Sequence, residues 1–105
     1  MARKPEKAVS PEGAPRLRAE VRKANTIGEA MAGGGAGQAE LDWVLNPANF
    51  AKAKKMLKGG VWYFFPAAGD GEGVPCVFER DGRFWRYSYH RGDRWDSHDR
   101  VVVSD

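Results

Sequence analysis

Two histidines and three aspartates lie close together near the end of the sequence. They are His90, Asp93, Asp96, His98 and Asp99. Imidazole and carboxylate groups bind metal ions, and a histidine beside an aspartate can act as a general base. Their spacing matches no metal-ligand pattern that we know, so we interpret the segment as a polar turn with exposed histidines. A metal-dependent hydrolase centred on His90 and His98 is the alternative.

Cys76 is the single cysteine of the sequence. A disulfide framework is therefore excluded, and we expect a reducing, cytoplasmic compartment or association with a virion. No apolar segment of a secretory signal follows the basic first residues, and the longest apolar run, residues 61–65, is too short to span a bilayer. We expect no membrane partner, and we interpret Cys76 as an inert buried side chain.

Positive charge is concentrated in two segments of the chain. The net charge is +3; residues 51–60 hold four lysines and no acid, and residues 1–24 hold seven bases and three acids. Such one-sided charge favours a partner rich in phosphate. The candidate contact residues are Arg16, Arg18, Arg22, Lys23, Lys52, Lys54, Lys55 and Lys58.

Aromatic residues are dense in the segment from Phe84 to Tyr89. Exposed rings flanked by arginine on a sheet can stack nucleic-acid bases. A small domain needs its large rings for the core, however, so we assign Trp85, Tyr87 and Tyr89 to the inner face of a strand. Phe84 and Arg86 then remain as the candidate exposed contacts.

The first 37 residues read as a flexible basic arm. Leu17, Val21 and Met31 share one stripe at helical spacing, which indicates a possible amphipathic helix over residues 15–32. The glycine-rich run over residues 33–37 breaks that helix and is typical of a flexible tether. We place a compact domain after it, over residues 38–105.

Helix signals and turn signals follow one another within that domain. A short helix is expected over residues 38–45, and a second over about 47–58, because Asn46-Pro47 begins it and Gly59 ends it. Asp81-Gly82 is the preferred pair for a two-residue type I′ hairpin turn. That turn sets Phe78 opposite Trp85; Cys76 then faces Tyr87, and Val74 faces Tyr89.

These elements predict an α+β fold. The amphipathic helix over about 47–58 packs on a small antiparallel β-meander or half-barrel over about 61–104, and the basic, glycine-rich arm precedes both. A closed small barrel is the alternative. We expect Phe50, Met56 and Leu57 to meet Trp62, Phe78, Trp85 and Tyr87. The strand over 101–104 is expected at an edge, where it could pair with a second chain.

The function that this pattern favours is a non-enzymatic binding module. Its partner would be nucleic acid or a nucleoprotein assembly, contacted through the arm and the lysine-faced helix. We predict no cofactor, no metal, no catalytic residue and no small-molecule substrate, and the oligomeric state is open. The alternative is a protein–protein adaptor or inhibitor of the small phage accessory type, which docks by Leu17, Val21 and Met31.

Overall fold

The computed structural model describes residues 14–69 and 71–105, so the basic residues of the predicted arm that precede residue 14 lie outside it. In chain order the elements are β1 (Leu17–Glu20), α1 (Ile27–Met31), α2 (Gln38–Leu45), a 3₁₀ turn (Pro47–Asn49), α3 (Phe50–Met56), β2 (Tyr63–Phe64), β3 (Gly73–Arg80), β4 (Arg83–His90) and β5 (Arg100–Ser104). The α+β class is confirmed: three short helices accompany a five-stranded open sheet.

The β3–β4 hairpin forms as the turn chemistry predicts. Asp81 and Gly82 have φ values of 55° and 79°, the positive pair that a type I′ turn requires. Phe78 pairs with Trp85, Cys76 with Tyr87, and Val74 with Tyr89. The predicted register is therefore confirmed along the whole hairpin.

The position of β5 differs from the prediction. The strand order is β1-β5-β2-β3-β4, so β5 lies inside the sheet, antiparallel to β1 and parallel to β2. The sheet is therefore mixed, and only β2, β3 and β4 form a meander. A strand in this position has both of its edges paired, so the expected edge pairing through residues 101–104 is wrong. The closed-barrel alternative is also wrong, because the sheet is open.

The longer helices pack on one face of the sheet, here called the helix face. Asn46 begins the 3₁₀ turn, its side chain accepting the Ala48 N–H at 3.0 Å, and α3 follows directly. Ala53 and Leu57 of this helix region are fully buried. The buried residues of the core that they join are Leu17, Ala36, Leu41, Val44, Ala53, Leu57, Tyr63, Phe65, Val77, Phe84 and Val102.

The helix therefore packs on the opposite side of β4 from the one predicted. Phe50 meets Phe84, with ring centroids 5.7 Å apart, and does not meet Trp85 or Tyr87. The physical reason is that rings occur on both faces of this strand. Tyr63, Val77 and Val102 join Phe84 on one side and make that side the more apolar one.

A second core occupies the other face of the sheet, here called the open face. Thr26 caps α1 by accepting the Glu29 N–H at 3.2 Å, and Ile27, Ala30 and Met31 are buried against the sheet. Trp95 is buried beside them, and its indole N–H donates to the Arg22 carbonyl at 2.9 Å. This second core covers only part of the open face.

The predicted helix over residues 15–32 is wrong for most of its length. Leu17–Glu20 is a strand paired with β5, and the helix covers only Ile27–Met31. Leu17 is the one buried residue of this four-residue strand, so its pattern can also match a helical stripe, and the pairing with β5 decides between strand and helix. No helix within the described residues is long and apolar enough to cross a membrane.

The tether over residues 33–37 is also wrong as predicted. Ala36 is buried, and its N–H donates to the Val102 carbonyl at 2.8 Å. A Cβ added to Gly35 would lie 2.6 Å from the same carbonyl oxygen. Glycine is thus needed at this position because the backbone passes close to β5.

Candidate functional site

The four lysines of α3 and the residues after it point away from the core. Lys52, Lys55 and Lys58 are exposed, and Lys54 is half-buried with its Nζ 5.5 Å from the centroid of the Phe50 ring. Within residues 14–69 and 71–105, no carboxylate lies within salt-bridge distance of any of the four. Their charge is therefore available to a partner.

The turn of the β3–β4 hairpin adds two arginines that the sequence analysis did not select. Arg83 places its guanidinium carbon 4.4 Å from the centroid of the Trp85 ring, and Arg80 places its own 5.2 Å away. The Trp85 indole N–H also donates to the Arg80 carbonyl at 2.8 Å. The sequence carried a signal for this cluster, since two arginines flank the Asp81-Gly82 turn beside a tryptophan.

The end of α3 and this turn lie side by side. The Tyr63 hydroxyl donates to the Lys58 carbonyl at 2.7 Å and ties the end of the helix region to β2. A Cβ added to Gly59 would lie 2.5 Å from Oε1 of Glu79, which directly precedes Arg80. The resulting cluster, here called the basic end, consists of Lys52, Lys54, Lys55, Lys58, Arg80 and Arg83. Its neighbours Glu79 and Asp81 compensate only part of this charge.

An aromatic patch begins at the basic end and runs across the open face. It consists of Trp62, Phe78, Trp85, Tyr87 and Tyr89. Trp62 is its centre, because its ring stacks on Phe78 at 4.5 Å and meets Tyr87 edge-on at 4.9 Å. Tyr89 is 38% exposed and the other four are half-buried. The inner-face prediction for these rings is therefore wrong in part, because no helix covers them completely.

Phe84 cannot serve as an exposed contact. Its ring is 2% exposed and belongs to the core of the helix face. Arg86 is exposed, as predicted, and pairs in register with buried Val77. Phe84 and Arg86 lie two positions apart and so share one face of β4, but the core of the helix face covers Phe84 and leaves Arg86 at the surface.

Two of the predicted contact residues between 16 and 23 form ion pairs or hydrogen bonds within the protein, and two do not. Arg18 pairs with Asp105 at 2.8 Å, an interaction that raises the pKa of its guanidinium. Arg22 bonds to Glu20 and to the carbonyls of Ala30 and Gly34 at 2.8 and 2.9 Å. Its charge is used within the fold, which makes it a structural residue.

Arg16 and Lys23 are exposed, as Arg18 is, but neither forms a salt bridge with a carboxylate of the described residues. Arg16 precedes β1, and its carbonyl accepts the Asp105 N–H at 2.9 Å. Lys23 lines a groove of about 600 Å³ beside Trp95. Neither residue belongs to the basic end, so the structure does not bring all the predicted contacts into one surface.

His90 ends β4 and His98 lies in the loop over residues 91–99, here called the acidic turn; both are exposed, as the polar-turn interpretation requires. Asp96 accepts the backbone N–H of His98 at 2.9 Å and lies 3.2 Å from the ring Nδ1 of the same residue. These hydrogen bonds hold the pKa of the Asp96 carboxyl below its usual value. Among the described residues, no three histidine, cysteine, aspartate or glutamate side chains are grouped as metal ligands.

A cavity of about 290 Å³ lies between the acidic turn and the aromatic patch. Trp62, Phe64 and Tyr89 form its apolar wall, and its polar side carries the carboxylates of the turn. Asp99, one of these, is only 9% exposed, and burial raises the pKa of its carboxyl. This cavity could not be predicted from the sequence, because Trp62 and Phe64 are distant in sequence from the aspartates that line it.

Comparison with known proteins gives no relationship from which a function can be carried over. No protein-family model matches the chain. No curated protein and no solved structure matches it either.

Proposed function

We propose that the protein binds single-stranded nucleic acid along the basic end and the adjoining aromatic patch. The observation that carries this proposal is the position of the Arg80 and Arg83 guanidinium groups over the Trp85 ring, beside lysines that form no salt bridge among the described residues. The combination supplies a phosphate-binding surface and a ring surface in direct succession.

Electrostatics supports a phosphate-rich partner. Exposed lysines and arginines attract a polyanion and release its bound counterions, and this release makes binding strongly dependent on salt. The basic end holds six cationic side chains on two neighbouring elements. Flexible lysines suit a moving phosphate backbone, because the ammonium group needs no fixed geometry.

The aromatic patch supports a single strand over a duplex. Bases of a duplex are stacked on one another, whereas unpaired bases are free to stack on protein rings and on guanidinium planes. The half-buried rings of Trp85 and Tyr87 and the exposed ring of Tyr89 follow one another on alternate positions of β4. Bases that leave the basic end would therefore meet further rings along this strand.

The test is the binding of a fluorescently labelled single-stranded oligonucleotide, measured by anisotropy over a range of salt concentrations. If all six cations contact phosphates, the logarithm of the affinity should fall with the logarithm of salt with a slope of about −4. A duplex of the same sequence should bind more weakly. Flat affinity across the salt range, or no binding, would contradict the proposal.

Substitutions separate the two parts of the surface. Lys52→Gln with Lys55→Gln should make the slope shallower by roughly one to two, and the same change at Lys23, outside the basic end, should leave it nearly unchanged. Trp85→Leu should weaken binding by roughly 5- to 100-fold at any salt concentration, because stacking on each ring contributes about 1–3 kcal/mol. Thermal unfolding of each variant shows whether the fold is retained.

The adaptor alternative was based on a docking helix over residues 15–32, of which only Ile27–Met31 is helical. Leu17 and Met31 are buried in the protein's own cores, and only Val21, 63% exposed, remains at the surface. If no nucleic acid binds, the aromatic patch is the surface on which a protein partner should be sought.

A further inference from the structure

The cavity between the acidic turn and the aromatic patch combines aromatic rings and carboxylates, two kinds of group that bind cations. Its apolar wall and its carboxylates face one space of about 290 Å³. Ligand pockets range from about 300 to 1,000 Å³, so this one has the size for a single side-chain group. The six residues that matter are Trp62, Phe64, Tyr89, Asp93, Asp96 and Asp99.

The rings of the wall stand at steep angles to one another. The Trp62 and Tyr89 rings meet edge-on, with centroids 5.7 Å apart, and the Phe64 ring lies 6.1 Å from Tyr89 with its plane tilted by 43°. Phe64 is 2% exposed and is fixed by the core, so the wall has a rigid base. Rings in such an arrangement attract a cation held near their faces.

The cavity lining holds three carboxylates, of which Asp93 accepts the His90 N–H at 3.0 Å and Asp96 accepts the His98 N–H at 2.9 Å. Arg94 is the single cationic side chain in the lining, and it forms no salt bridge within the described residues. Asp99 is nine-tenths buried, and its Oδ2 accepts one hydrogen bond, from the Asp96 N–H at 3.1 Å. A buried carboxylate is normally paired with a cation or neutralised.

We propose that this cavity binds the guanidinium group of an arginine side chain carried by a basic peptide. A guanidinium is planar and stacks on aromatic rings, and its N–H groups donate to carboxylates two at a time. The groove of about 600 Å³ shares Arg94 and Asp96 with the cavity. That groove gives the backbone of the peptide a path beside the bound side chain, which a free small cation would not use.

The protonation of Asp99 agrees with this assignment. Burial raises the pKa of its carboxyl above the ordinary value; the hydrogen bond from the Asp96 N–H opposes this rise, and the charge of Asp96 adds to it. A guanidinium bound beside the carboxylate would favour the ionised form and lower that pKa again. Binding and the ionisation of Asp99 should therefore be coupled.

The test uses the full chain labelled with ¹⁵N and the peptide acetyl-Gly-Arg-Gly-amide. On titration, the indole N–H signal of Trp62 and the backbone signals of residues 93–99 should shift. The matched peptide with citrulline, which keeps the shape and removes the charge, should bind at least about tenfold more weakly, because hydrogen bonds between charged groups are lost. Equal shifts with both peptides would overturn the proposal.

Two variants and one further ligand sharpen the result. Asp99→Asn should weaken binding of the arginine peptide about tenfold, whereas Asp81→Asn, in the hairpin turn, should leave it unchanged. Arg94→Ala should strengthen binding, because it removes a positive charge of the lining that repels the guanidinium. Free argininamide should bind more weakly than the peptide; equal affinity would overturn the role of the groove.

Oligonucleotide binding by Asp99→Asn is measured separately, without peptide. Unchanged oligonucleotide affinity in a variant that no longer binds the peptide shows that the two proposals are independent.

Discussion

Cys76 shows how a single side chain can be reactive in principle and inert in place. It is fully buried, opposite Tyr87 in the hairpin. Burial raises the pKa of its thiol to about 12. The thiolate, which is the nucleophile, is therefore scarce at neutral pH. The buried position assigned from the register is confirmed.

The raised pKa of Cys76 predicts a dependence of stability on alkaline pH. The folded state retains the thiol proton above the ordinary value of 9.0, at which the unfolded chain releases it. The contribution to stability is therefore complete below about pH 9 and is lost as the pH rises toward about 12. The free energy of unfolding in urea, measured at about pH 8 and about pH 10.5, should fall across this interval.

Cys76→Ala is the matched control for that measurement. It should lower the stability at about pH 8, because a small cavity remains, and it should make the alkaline decline shallower. Tyr63 and Tyr89 also have raised pKa values and maintain part of the decline. An unchanged pH dependence in the variant would show that the thiol does not contribute to it.

At the scale of single elements, α3 owes its position to a few buried side chains. Leu57 follows its last turn and is fully buried, whereas Lys55 is exposed two residues earlier. The pattern of apolar residues on one side and lysines on the other was predicted and is confirmed. The helix is short, so packing rather than intrinsic propensity must stabilise it.

Leu57→Ala should therefore cost about 2–5 kcal/mol of the free energy of unfolding. Lys55→Ala changes an exposed position in the same helix and should stay within about 0.5 kcal/mol of the parent protein. Chemical denaturation of both variants measures the difference. Similar losses in the two would mean that the helix is not anchored by its buried side.

The hairpin and α3 could be predicted from the sequence because their signals are local. The two-residue turn Asp81-Gly82 determines the hairpin, and the helical spacing of apolar residues determines α3. The face of β4 that meets the helix could not be predicted in the same way, because Phe84 and Trp85 are both aromatic and alternate by one position. The choice depends on Val77 and Val102, which belong to two other strands.

The residues of the candidate site also differ in whether local sequence or the folded sheet brings them together. The lysines could be predicted because all four lie within one short segment, Lys52, Lys54 and Lys55 in α3 and Lys58 just after it. Arg80, Arg83 and Trp85 come together at a turn, and their contact depends on the geometry of the hairpin. The cavity was missed because Trp62 and Asp99 are distant in sequence, and only the folded sheet places them around one space.

At the scale of the whole molecule, residues 14–37 pack on the sheet that follows them in sequence. β1 lies along one side of β5, Leu17 joins the core of the helix face, and Ile27 joins the second core. The predicted domain boundary before residue 38 can be tested directly. A chain that begins at residue 38 would lack one neighbour of β5 and the cover of the second core.

We expect this truncated chain to lose cooperative thermal unfolding or to aggregate, because exposed strand edges and apolar faces promote association. Circular dichroism during heating and size-exclusion chromatography, with the full chain as reference, measure both effects. A monomeric fragment that unfolds cooperatively would instead establish residues 38–105 as an independent domain.

Trp62 belongs both to the aromatic patch and to the wall of the cavity. A ligand that displaces this ring from one side therefore alters the surface offered to a ligand on the other. Thermodynamic linkage makes such communication mutual: whatever factor the oligonucleotide applies to the affinity for the arginine peptide, the peptide must apply to the affinity for the oligonucleotide. If both proposed ligands bind, Trp62 is therefore the residue through which their affinities would be coupled.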